Sequence, residues 1–148
     1  MIKKILLPVD NSDASEKAGE YAIRSADLSG TEIIVLHVID TDYLKSLPQH
    51  DLREKLDKQF RFEGKEAIEK FEKKIEDEQC AGNCKNIDLI TMIKDGKPDE
   101  VILKTADELG VDQIIMAKSD KQGLEKFLLG STTERVIRGA NVPVNVIS

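Results

Sequence analysis

The sequence predicts an α/β fold in which one five-stranded parallel sheet is doubly wound, with helices on both faces. Three observations lead there. Five short apolar runs rich in Ile, Val and Leu recur along the chain, and each is followed or preceded by a segment with helical spacing. Runs such as Ile33-Ile34-Val35-Leu36 and Ile114-Ile115-Met116 do not alternate with polar residues, as expected of strands covered on both sides. Strand and helix alternate from end to end with short connections, which calls for right-handed crossovers within one sheet.

The strands are expected at Ile2 to Val9, Glu32 to Ile39, Ile87 to Ile93, Gln113 to Ala117 and Val142 to Ile147. A first helix runs from Asp13 to about Leu28, with Ala14, Ala18, Tyr21, Ala22 and Ser25 at three-and-four spacing. Asp13 with Glu16 reads as its capping box and Gly30 as its stop. A second helix is long and charged. Leu52, Leu56, Phe60, Gly64, Ala67, Ile68, Phe71 and Ile75 keep one face, and Gly64 weakens it by about 1 kcal/mol relative to Ala. The third begins at Pro98, suited to a first turn, and ends at Gly110. The fourth starts at Ser131, where Ser131-Thr132-Thr133-Glu134 has the S-x-x-E pattern, and stops at Gly139. Residues 40 to 51 read as a polar loop. Pro143 lacks an amide hydrogen, which marks the last strand as an edge.

At 148 residues and 16.5 kDa the chain is expected to form a single domain over residues 1–148. A domain of this size buries roughly 68–70% of the surface its unfolded chain exposes, enough for a core without disulfides or structural metal. With 22 basic against 28 acidic residues the net charge is −6, which argues against capture of nucleic acid or an anionic membrane surface. No apolar run approaches the ~18 residues of a membrane span. The N-terminus meets Pro8 and Asp10 too early for a signal peptide, so a cytoplasmic location is expected. Cys80 and Cys84 form a C-x3-C pair with neither His37 nor His50 beside it in sequence, so they are expected as free thiols with no metal.

In open α/β sheets a ligand binds beyond the carboxyl ends of the strands, where the winding reverses. For the order 3-2-1-4-5 that crevice lies between the first and fourth strands. Its rims are Pro8-Val9-Asp10-Asn11-Ser12 and Ala117-Lys118-Ser119-Asp120, with Val38-Ile39-Asp40 alongside. The helix start at Gly130-Ser131-Thr132 opens nearby and offers unpaired amides to an anion.

Those same segments carry a family resemblance. Ile5-Leu6-Leu7-Pro8-Val9-Asp10-Asn11-Ser12, Leu36-His37-Val38, Gly96-x-Pro98, Leu128-Leu129-Gly130-Ser131 and Val142-Pro143-Val144 together resemble the universal stress protein family, in order and over nearly the whole chain. The resemblance implies the 3-2-1-4-5 order, a homodimer and, in one branch, ATP held by a loop of pattern G-x2-G-x9-G-[ST]. The matching positions here are Ala117, Asp120, Gly130 and Ser131, so two glycines are replaced. By position, the nucleotide contacts it implies are Pro8, Val9, Asp10, Val38, Gly130, Ser131 and Thr132.

Each replacement has a physical cost. If position 117 needs a positive φ, alanine costs about 1–2 kcal/mol there. Asp120 sets a carboxylate near a polyphosphate, with a repulsion of about 3 kcal/mol per unit charge at ~5 Å and an effective dielectric of ~20. Lys118, Lys121 and the freedom of Gly123 offset part of this, and a magnesium ion bridging Asp120 to phosphate would reverse it. Asp10 also has a plainer reading as a partner for loop amides, and Ser131 as an N-cap.

The expected function is therefore a non-enzymatic, dimeric stress or signalling module with a weakened or altered nucleotide pocket. The other reading keeps ATP as the ligand of a nucleotide-dependent switch that orders the loop from Ala117 to Leu129, with magnesium entering only with nucleotide. An enzyme is disfavoured. The first loop lacks the glycines of an S-G-G-x-D-S phosphate loop, and a receiver with Asp10, Asp13 and Lys118 would leave the long charged helix without a place. Dimerisation is expected through the last strand, where Val142, Val144, Val146 and Ile147 would leave amides and apolar side chains uncovered.

Overall fold

The structure is a computed structural model that describes residues 3–26, 30–80, 87–118 and 130–148. The readings made above for Asp120, Lys121, Gly123, Cys84 and the Cys80 side chain lie outside the described residues.

β1 (Lys4–Pro8) is the middle strand. It pairs in parallel with β2 (Thr31–Asp40) on one side and with β4 (Gln113–Ala117) on the other. β3 (Ile87–Gly96) lies outside β2 and β5 (Val144–Ile147) outside β4, which makes the order 3-2-1-4-5 with every pair parallel. Ile5, Leu6 and Leu7 of β1 are fully buried, because successive side chains point to opposite faces and both faces are covered. α1 (Asp13–Ser25) and α3 (His50–Cys80) cover one face, setting Ala18, Ala22, Phe71 and Ile75 against Ile5, Leu7, Ile33 and Val35. α4 (Pro98–Leu109) and α5 (Ser131–Gly139) cover the other, setting Ile102, Ala106 and Val136 against Leu6, Ile34 and Ile114. Each such buried aliphatic side chain contributes about 1.5–3 kcal/mol relative to exposure.

The third helix has the expected bounds: Pro98 opens α4, and Gly110 closes it in the left-handed region at φ 62°. α5 (Ser131–Gly139) and β4 (Gln113–Ala117) also keep the expected bounds, while other boundaries move. α1 is capped by Ser12, whose hydroxyl accepts from the Ser15 amide at 3.1 Å, so the expected Asp13–Glu16 box is not the cap. It stops at Ser25 rather than Leu28, because Ala26 is extended (ψ 138°); Gly30, at φ 121°, stands instead at the entry to β2. β3 continues to Gly96, and the long helix reaches 31 residues. Residues 40 to 51 are not only a loop. They hold a short helix, α2 (Thr41–Lys45), capped by Asp40 and anchored by the buried Leu44. β5 starts at Val144, after Pro143, and is an edge strand as its proline suggests. Among the described residues no helix is long and apolar enough to cross a membrane.

One carboxylate ties the start of β1 to the turn before β4. Asp112 Oδ2 accepts from the Lys3 and Lys4 amides, both at 2.8 Å, and the Lys4 and then the Lys3 amide hold its carboxyl below the ordinary value of 3.8. A depressed carboxylate contributes stability above its unfolded-state value and loses it as pH falls through the folded one. Asp112→Asn should therefore lower unfolding stability by about 1 kcal/mol or less at neutral pH, the bond being solvent-exposed. Urea melts at pH 7 and pH 3 test this, with the gap between variant and wild type expected to shrink at the lower pH.

Candidate functional site

Because every strand of the sheet is parallel, all carboxyl ends meet one rim. The winding reverses at β1, since β2 lies to one side and β4 to the other, and the helices that follow β1 and β4 lie on opposite faces. A cleft of about 510 Å³ opens at that point. This is within the 300–1,000 Å³ usual for small-molecule sites.

Of the residues named from sequence, Pro8, Val9, Asp10, Val38, Ala117, Ser131 and Thr132 all line this cleft. Gly130 is buried immediately behind it, at the cap of α5. Asp120 lies outside the described residues. The floor is apolar, formed by Leu36, Val38, Ile102 and Met116.

Hydrogen bonds explain how each rim is held. The Val9 amide donates to the Leu36 carbonyl at 2.9 Å, which carries the β1–β2 ladder one residue past β1. Asp10 Oδ1 accepts from the Ser12 amide at 2.8 Å and from the Ser12 hydroxyl at 2.5 Å, while the Asp10 amide donates to Ser15 Oγ at 3.0 Å. The carboxylate thus organises the turn into α1 as well as facing the cleft. On the opposite rim the Thr133 hydroxyl donates to the Ala117 carbonyl at 3.0 Å, and the Gly130 amide to the Lys118 carbonyl at 3.1 Å.

Two expectations for this rim are corrected. Ser131 is not the N-cap. Gly130 holds that position with no side-chain cap bond, because its carbonyl accepts the Glu134 amide and its amide is anchored to Lys118. Ser131 is accordingly the first helical residue, exposed and facing the cleft. Ala117 does not have a positive φ; it ends β4 in register with Ile147. The 1–2 kcal/mol of backbone strain considered for it therefore does not arise, and only the bulk of its methyl group remains.

The sequence reading missed one wall. Tyr43, Ser46, Phe60 and Glu63 from α2 and α3 line the cleft, as do Lys97, Asp99 and Arg135 from the starts of α4 and α5. It also gave His37 no role beyond its place in the Leu36-His37-Val38 segment. His37 is buried, lines the cleft, and donates through Nδ1 to the Val9 carbonyl at 2.8 Å. Gly64 of α3 lies directly over its ring: a Cβ there would stand 2.8 Å from both Cγ and Nε2. The signal for this was Gly64 itself, an unfavourable residue in mid-helix that makes sense only against a neighbour.

Charge divides unevenly over the lining. Asp10, Asp40, Asp42, Glu63 and Asp99 are five carboxylates against the cations Lys97 and Arg135, and Arg135 reaches Asp99 at 4.0 Å. Among the described residues no group of three His, Cys, Asp or Glu side chains could hold a metal ion.

The universal stress protein family model matches residues 1–148 of this chain. The chain belongs to the universal stress protein family. Universal stress protein MJ0531 of Methanocaldococcus jannaschii is 33% identical over 147 residues, covering 99% of this chain and 82% of the relative. MJ0577 of the same organism is 34% identical over 165 residues, covering 99% and 95%. A solved structure of MJ0577 superposes with a TM-score of 0.83 at 36% identity, over 99% of this chain and 96% of that one. A universal stress protein of Arabidopsis thaliana, solved with AMP bound, shares the fold at a TM-score of 0.64 and 19% identity, over 98% and 90% of the two chains.

The contact between Gly64 and His37 makes a sharp test of how this universal stress protein holds its cleft. Gly64→Ala gains about 1 kcal/mol of helix propensity but forces a close contact that costs about 1–3 kcal/mol. Denaturant melts should show a net loss in the wild-type background. In a His37→Ala background the same substitution should instead stabilise, and a loss of equal size in both backgrounds would refute the contact.

Proposed function

We propose that this universal stress protein is a non-enzymatic stress or signalling module whose cleft takes an adenine nucleotide weakly, and whose affinity falls as phosphates are added. A single observation carries the reading: the cleft combines an apolar floor and a helix N-terminus with five carboxylates against two cations. One carboxylate at ~5 Å from a phosphate charge costs about 3 kcal/mol at an effective dielectric of ~20, which more than offsets one helix N-terminus at about 0.3–1 kcal/mol. The Arabidopsis relative's AMP supports a monophosphate as the class of ligand this fold admits.

A second reading, the ATP-dependent switch, is favoured by the open start of α5. Gly130 caps it without a side chain, so the amides behind Ser131 and Thr132 meet no competing hydroxyl or carboxylate cap. Isothermal calorimetry with AMP, ADP and ATP, each with and without magnesium, separates the two. The proposal expects AMP to bind most tightly and ATP at least tenfold more weakly without magnesium. Stoichiometric ATP retained through gentle purification, or ATP bound more tightly than AMP, overturns it in favour of the switch.

The proposal includes a cytoplasmic homodimer joined through β5. This strand pairs only with β4 among the described strands, and its residues Val144 to Ile147 are half-buried in the single chain. Antiparallel pairing with the same strand of a second copy would satisfy its free edge with two-fold symmetry. Val144→Asp is expected to convert a dimer to a folded monomer in light scattering, with circular dichroism unchanged. A variant that stays dimeric puts the interface elsewhere.

A further inference from the structure

The wall made by α2 and α3 carries a more specific reading of the same site, resting on the nucleotide proposal above. Tyr43 is 48% exposed although its neighbour Leu44 is 6% exposed, so α2 buries one side chain as its anchor and presents the next. That ring is not adrift. Its backbone amide donates to Asp40 Oδ1 at 2.9 Å, and its carbonyl accepts the Ser46 hydroxyl at 2.5 Å and amide at 3.0 Å. Asp40 is the last residue of β2, so Tyr43 is held at a set place relative to the cleft floor.

Behind it stands Phe60 of α3, half-buried, with the ring centroids 6.3 Å apart and the planes inclined by 31°. Rings at that spacing already contact one another, within the 4.5–7 Å of aromatic pairs, so no planar ligand fits between them. The remaining face of Tyr43 is the usable one. Aromatic residues are few here, with no Trp, two Tyr and four Phe in the chain. Among the described residues, the aromatic pair recorded in contact lines the cleft.

Charge fixes which part of a ligand meets this wall. Asp42 and Glu63 flank the aromatic pair, whereas Lys97, Arg135 and the first amides of α5 belong to helices on the other face of the sheet. The second wall also carries Asp99, 4.0 Å from Arg135, but there two cations and a helix N-terminus face one carboxylate, so a phosphate is repelled from the first wall and favoured at the second. We propose that Tyr43, backed by Phe60, is the base-stacking residue of this cleft. It takes the face of a purine whose phosphate lies toward the start of α5.

Tyrosine emission reads this directly, because the chain has no Trp and its other tyrosine, Tyr21, packs against the core on α1. The probes are AMP and ribose 5-phosphate, followed by emission and by calorimetry. AMP should quench emission in the wild type. Tyr43→Phe should keep the calorimetric affinity and lose the quench. Tyr43→Ala should weaken AMP by about fivefold to hundredfold, the usual range for one stacked base, while leaving ribose 5-phosphate unchanged. If Tyr43→Ala binds AMP as tightly as the wild type, the stacking assignment is overturned and the nucleotide site stands. If Tyr43→Ala weakens both ligands alike, Tyr43 shapes the cleft without reading the base, and the assignment again fails. Absence of heat and quench with AMP in the wild type, at millimolar ligand, overturns the assignment and the nucleotide proposal together.

Discussion

Burial of β1 on both faces is the constraint from which the rest of this structure follows. Ile5 and Leu7 must meet α1 and α3, and Leu6 must meet α4 and α5, so the helices are forced to opposite sides of the sheet. The chain leaving β1 and the chain leaving β4 then depart toward different faces from adjacent strands. Among the described residues, the cleft lies between them. The cleft is thus a by-product of packing the central strand, and its floor is apolar because Leu36, Val38 and Met116 belong to or pack against the core on that face of the sheet.

What gives that space chemical character is the backbone bonding at its rims. Ala117 and Lys118 have their carbonyls taken by Thr133 and Gly130, which brings the start of α5 against the end of β4. Val9 has both its amide and its carbonyl taken, by Leu36 and by His37. These groups are spent on structure, so a ligand has to be recognised by the α5 amides, by side chains and by the apolar floor. Five carboxylates stand among those side chains, and under the proposal above their charge, rather than strain at Ala117, is what limits the phosphates a ligand can carry.

The wall from α2 and α3 depends on a contact far apart in sequence. His37 lies in β2 and Gly64 in α3, and only a residue without a Cβ allows the helix to approach the ring that closely. Moving α3 outward to accept a side chain would move Phe60, one turn earlier on the same helix, and Glu63, the residue immediately before Gly64. The long charged helix, whose solvent face suggests no chemistry, therefore has one turn that shapes the site.

The amino-acid sequence by itself determined the strands, the parallel sheet and the end of the sheet where a ligand would lie, because these follow from local hydrophobic periodicity and from Pro98 and Gly110 as boundary signals. Seven of its nine nominated site residues share one cleft lining for the same reason: the rims of a doubly wound sheet are set by topology. Tertiary structure alone decided the cap of α5, where a bond from Gly130 to Lys118 displaced Ser131, and the ordinary φ of Ala117, set by pairing with β5. It alone turned residues 41–45 into a helix too short for any periodicity to register, and set His37 beneath Gly64. Each of these rests on a partner distant along the chain, and a local pattern carries no record of which distant atoms will complete it.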